Sequence, residues 1–122
     1  MKTSELTDTA LDWAVAKCEG ATDIWQAPNG EWCIAFGEER YFFDEFEYSE
    51  SWLRGGPIIE REGISTIKQD PPAANWWAFL PEQRPGDAVG PTPLIAAMRC
   101  YVTSKLGDDV DIPEELLTGV NK

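Results

Sequence analysis

The sequence predicts a single α+β domain, in which a small antiparallel sheet of about three to five strands packs against two main helices. Three observations carry that expectation. Segments near residues 6–18 and 92–107 place apolar side chains at spacings of three and four, the period of a helix with one buried face. Between them lie short runs of β-branched and aromatic residues, punctuated by glycine, proline and asparagine. The chain has 122 residues, 43 % of them apolar, which suits one core and leaves little room for a second.

The elements follow in order. In the first helix, over residues 6–18, Leu11, Ala14, Val15 and Cys18 share a face. Thr7 or Thr9 can cap its start, Asp8 and Asp12 suit its positive end, and Gly20 stops it. Residues 24–26 and 31–36 read as strands joined through Ala27-Pro28-Asn29-Gly30, where Asn-Gly supplies the positive φ of a tight hairpin. Gly37-Glu38-Glu39 turns the chain into a third strand at 40–43, and the acidic, aromatic stretch 44–52 reads as a loop or short helical turn. Gly55-Gly56-Pro57 reads as a rigid corner, followed by extended chain over 58–67 bent at Gly63. Residues 69–91 carry Pro71, Pro72, Pro81, Pro85 and Pro91 and read as a long irregular excursion around one short strand at 76–80. The second helix opens on Thr92 as N-cap with Pro93 at its first position. Leu94, Ile95, Met98, Tyr101 and Val102 form its apolar stripe and Gly107 ends it, while Pro113 opens a last turn through Leu117.

Charge and composition exclude whole classes of function. With 22 acidic against 10 basic residues the formal charge is −12, which opposes direct binding to nucleic acid or to an anionic membrane. The chain has no histidine, so Ser-His-Asp and Cys-His nucleophiles and histidine-bearing zinc sites are absent. Its glycines form neither a dinucleotide nor a P-loop fingerprint. Cys18, Cys33 and Cys100 are odd in number and widely spaced, which reads as buried thiols in a reducing compartment. Cys100 beside Arg99 has a sharper reading as a reactive thiol, but it lacks a base. Residues 1–6 show no signal-peptide pattern, and no stretch approaches the ~20 apolar residues of a membrane span. A cytosolic protein that binds without catalysing, with no cofactor and no metal, is the expectation. A carboxylate-dependent enzyme stays as the third reading, because the many acidic residues offer pairs that the sequence cannot localise.

Two constellations carry the binding chemistry. The first joins large rings, glycine corners and the scarce arginines: Trp13, Trp52, Trp76 and Trp77 with Arg54, Arg61 and Arg99, beside Gly56 and the helix start at Thr92. Tryptophan stacks on a base and arginine forks onto phosphate, so these parts suit a pocket for a small nucleotide-like ligand. Arg99 is the sharpest of them, because an arginine inside an apolar helix needs an acidic partner or an anionic ligand. The blander reading of the same residues is core tryptophans, surface ion pairs and an ordinary helix cap. The second constellation is acidic: Glu38, Glu39, Asp44, Glu45, Glu47 and Glu50 interleave with Tyr41, Phe42, Phe43, Phe46 and Tyr48. Asp108, Asp109, Asp111, Glu114 and Glu115 form a further acidic group. Its bland reading is a solvated face, and its sharp reading is a surface that mimics nucleic acid and occupies the basic groove of a host protein.

Leu11-Asp12-Trp13-Ala14-Val15-Ala16-Lys17, Gly55-Gly56-Pro57-Ile58-Ile59-Glu60-Arg61-Glu62 and Gly90-Pro91-Thr92-Pro93-Leu94-Ile95-Ala96-Ala97-Met98-Arg99 follow one another along the chain. Together they resemble the NinX-like family of small proteins of lambdoid tailed phages, over nearly the whole length. The sequence departs from the family pattern at Asp8, where glycine is common, and in its acidic, proline-rich middle. The resemblance implies a phage accessory protein in the cytoplasm of an infected bacterial host, a setting associated with countering host defence. It supplies no reaction and no catalytic residues. Its matching segments surround Trp13, the glycine corners and Arg99 rather than the acidic run, which favours sequestration of a nucleotide-like signalling molecule over charge mimicry. A homo-oligomer whose chains share the pocket is compatible with both.

Overall fold

The helix that opens on Thr92 is the centre of the molecule. The computed structural model describes residues 1–116 apart from 73, 84 and 115, so Glu115 and the end of the turn expected through Leu117 lie outside the described residues. Helix α1 spans Asp8–Cys18, α2 Trp52–Glu62 and α3 Pro93–Leu106. Strands β1 Asp23–Gln26, β2 Trp32–Phe36 and β3 Glu39–Phe42 form one antiparallel sheet in that order. Strands β4 Ser65–Lys68, β5 Trp76–Phe79 and β6 Ala88–Gly90 form a second. Among the described residues the protein is a small α+β fold with two three-stranded sheets and three main helices.

Helix α3 buries Leu94, Ala96, Ala97, Met98, Arg99, Cys100, Tyr101 and Val102, more than the single stripe read from its sequence. It is enclosed because β5 and β6 cover one side while α1 and α2 pack elsewhere around it. Gly90 permits this approach: a Cβ there would stand 2.8 Å from the Ala96 nitrogen. Leu11, Ile34, Ile58 and Met98 are at most 2 % exposed, and burying each such side chain contributes about 1.5–3 kcal/mol.

The first sheet matches the expected meander. Trp25 pairs with Cys33, and Cys33 with Phe42. Beyond β3 a 3-10 turn, Phe43–Phe46, folds its aromatic side chains back onto the sheet. The Phe46 ring centroid lies 5.3 Å from Phe36 and 5.2 Å from Tyr41.

Residues 52–67 depart from the expectation. Gly55-Gly56-Pro57 is not a corner but the interior of α2, and the chain expected to be extended from Ile58 is helical through Glu62. Local propensity opposes this helix, since two glycines and an internal proline are all unfavourable. Packing overrides it: Gly55 and Ile58 face inward, and a Cβ on Gly55 would stand 2.5 Å from Leu94 Cδ1 and 2.6 Å from the Tyr48 carbonyl oxygen. Gly63, with φ +71°, ends the helix where a bend was expected, and β4 follows. The excursion over 69–91 is also more regular than expected, because β6 joins β5 with Trp77 opposite Val89.

Candidate functional site

Arg99 is 9 % exposed, and no carboxylate pairs with it among the described residues. Its Nε donates to the Leu6 carbonyl oxygen at 2.9 Å and its Nη1 to the Val89 carbonyl oxygen at 2.8 Å. These bonds tie the N-terminal segment and the β6 edge to α3. Carbonyls satisfy donors without cancelling charge, and burial holds the guanidinium below its ordinary pKa. Nη2 donates to no described residue.

Arg99 also lines a cavity of about 440 Å³ at the free edge of β6, with Ser4, Asn75, Trp77, Asp87, Ala88, Val89, Gly90 and Pro91. Trp77 is 37 % exposed, and its Nε1 donates to Asp87 Oδ2 at 3.3 Å. The cavity therefore combines a buried cation, an indole, one carboxylate and an amide. Those groups suit a planar ligand with an anionic substituent.

A second cavity, of about 340 Å³, lies between α1, the β1–β2 turn and the 3-10 turn. Asp8, Asp12, Glu31, Asp44, Glu47 and Glu50 line it with Trp32, Phe42 and Phe43. Asp12 is 7 % exposed, and its Oδ1 accepts the Ser49 N–H at 2.8 Å. The Ser49 hydroxyl, also buried, forms no hydrogen bond of acceptable geometry. Burial pushes the Asp12 pKa up to about 7; Ser49 opposes the shift, and the Glu50 and Glu47 charges add to it. Such a cleft suits a cation. No group of three or more His, Cys, Asp or Glu side chains among the described residues could hold a metal ion.

The nine residues singled out for a ligand pocket do not all meet around one cavity. Only Trp77 and Arg99 among them line either one. Trp13 is half-buried beneath the Lys17 ammonium, 5.1 Å from the ring centroid. Trp52 is 57 % exposed, and Gly56 has open space around the position of a Cβ. Arg54 Nε donates to the Glu45 carbonyl oxygen at 2.7 Å and covers the Phe46 ring. Arg61 grips Glu19 through Nη1 and Nη2 at 3.1 and 2.7 Å and reaches the Tyr101 hydroxyl, an ion-pair junction between helices. Burial works against the Glu19 charge, but hydrogen bonds from Arg61 and Tyr101 hold its pKa below the ordinary range. Thr92 is the N-cap expected, accepting the Ile95 N–H at 3.0 Å. Trp76 packs half-buried against the core.

The acidic run divides. Asp44, Glu47 and Glu50 line the α1 cleft, whereas Glu45 accepts the Phe42 N–H and Glu39 accepts the Tyr41 hydroxyl at 2.6 Å. Glu38 is exposed in the β2–β3 turn. The sequence named Trp76 and Trp77 together without separating them, and Asn75, Asp87, Asp8 and Asp12 were missed as cavity residues. Successive strand residues face opposite ways, so Trp76 and Trp77 cannot share a role, but only the register says which of them points outward.

No helix among the described residues is long and apolar enough to cross a membrane. No curated protein matches the chain. The family model described as bacteriophage P22, NinX, matches residues 2–105, and the chain belongs to that family of phage proteins.

Proposed function

We propose that this NinX-family protein acts in the cytoplasm of the infected host by binding without turnover, sequestering a small nucleotide-like signalling molecule in the cavity at the β6 edge. The observation that carries this reading is Arg99, a buried cation with no carboxylate partner among the described residues, in the wall of a cavity beside an exposed indole. Withdrawing a signalling molecule would blunt a host defence response, which suits a phage accessory protein. The site is smaller than the sequence constellation: Trp77 stays beside Arg99, Asp87 joins them, and Trp76 and Arg61 fall outside. Thermal unfolding of the full chain against a nucleotide panel tests the reading, since a ligand that binds only the folded state raises the melting temperature. Trp77→Ala, at a half-exposed position, removes the rise. No rise with any member of the panel would overturn the reading.

A second reading rests on the α1 cleft. Its six carboxylates and three aromatic rings suit a lysine or arginine side chain of a basic host protein. An oligoarginine peptide should then bind, weaken steeply with salt, and lose affinity in the Glu47→Gln/Glu50→Gln variant. Binding insensitive to both changes would exclude the cleft.

A further inference from the structure

We propose that the β6-edge cavity is selective for charge state, taking a planar base with a single negative charge, in the form of a cyclised phosphodiester, and rejecting phosphomonoesters and polyphosphates. This inference rests on the ligand-binding reading above and deepens it. The charges lining the cavity are one guanidinium, Arg99, and one carboxylate, Asp87. The single cation can balance one added negative charge, and with Asp87 also in the wall nothing is left over for a second. A phosphomonoester carries between −1.5 and −2 at neutral pH, roughly, and a triphosphate more. Each extra charge meets Asp87 at short range and the field of a chain whose formal charge is −12. A phosphodiester closed into a ring carries one charge and avoids that repulsion.

The remaining groups describe the rest of the ligand. Trp77 stands between Ile67 and Val89 on neighbouring strands, and all three are exposed, so the indole offers a stacking surface with apolar flanks. Its Nε1–H is directed to Asp87 Oδ2, which holds ring and carboxylate in a constant relation. A carboxylate accepts several hydrogen bonds, so Asp87 can also take one from the exocyclic amine of a base lying on the indole. Arg99 Nε and one hydrogen of Nη1 are committed to main-chain carbonyls, which leaves Nη2 and the other Nη1 hydrogen for the anion. The volume, about 440 Å³, suits a mononucleotide-sized molecule.

Equilibrium dialysis of the full chain at physiological salt tests this. The probes are the four 3′,5′-cyclic ribonucleotides, the matching 5′-monophosphates and ATP. At least one cyclic nucleotide should bind about tenfold or more tightly than its 5′-monophosphate. Asp87→Asn should narrow that gap, and Trp77→Ala should weaken binding of both forms. Both variants lie at exposed positions outside the core. Equal or tighter binding of the 5′-monophosphate or ATP would overturn the charge selection and leave the ligand-binding reading standing. Binding of no probe, or binding unchanged in Trp77→Ala, would overturn both.

Discussion

The Ser49 N–H donates to Asp12 Oδ1 at 2.8 Å, pinning the loop that precedes α2 to the first helix through a buried carboxylate. Burial raises the Asp12 pKa from its ordinary 3.8 to about 7. Between those values the folded chain holds a proton that the unfolded chain has released, so this group's contribution falls as pH rises across the window and is level above it. Asparagine keeps an acceptor for Ser49 and cannot ionise. Asp12→Asn should match the parent near pH 4 and exceed it near pH 8, by at most about 4 kcal/mol. Urea unfolding at the two pH values checks this. A difference between variant and parent that does not change with pH would refute it.

Adjacent glycines in α2 should respond in opposite directions. A methyl group on Gly55 meets Leu94 Cδ1 and the Tyr48 carbonyl at contact distances too short to keep, so Gly55→Ala should cost about 2 kcal/mol or more. Gly56 has open space at the same position and sits in a helix interior, but Pro57 follows it and disfavours a helical residue with a Cβ, so Gly56→Ala should add at most about 0.5 kcal/mol. Thermal unfolding of the two variants side by side decides it.

Asp8 has φ +48°, in the left-handed region that favours glycine. Asp8→Gly should raise stability by about 0.5 kcal/mol, after the loss of a favourable charge in the first turn of α1. A fall in melting temperature would mean that the acidic side chain outweighs the backbone conformation.

The Arg61–Glu19 pair makes two hydrogen bonds but is partly open to water, with Arg61 49 % exposed and Glu19 20 %. Its loss in Arg61→Ala should therefore cost about 1 kcal/mol. Arg61→Lys should recover only part of this, because an ammonium cannot make both contacts to the carboxylate in one plane. Neither variant should change nucleotide binding at the β6 edge, since Arg61 does not line that cavity. A binding defect in Arg61→Lys would reunite the two arginines in a single site.

Where local chemistry and packing agree, the sequence was readable. Thr92-Pro93 and Gly107 bound α3, and Asn29-Gly30 turns the first hairpin. Helix α2 was hidden because its glycines and proline signal a turn, and only the presence of Leu94 and Tyr48 against Gly55 explains why they stand in a helix. The candidate sites were legible in residue type but not in arrangement. Arg99 could be singled out from its apolar surroundings, whereas its neighbours come from three separate stretches: Ser4, then Asn75 and Trp77, then Asp87–Pro91. Arg61 was indistinguishable from it by type, yet finds its carboxylate in Glu19, 42 positions away.

Strand β6 ends its sheet, and an edge of unpaired main-chain groups is a template on which another chain can add a strand. The Val89 carbonyl on that edge is already occupied by Arg99 Nη1. The guanidinium proposed to hold a ligand's anion therefore also occupies a main-chain acceptor of the edge strand. A chain deprived of it would leave that acceptor open and, on the proposed reading, would lose the cation of the cavity with it.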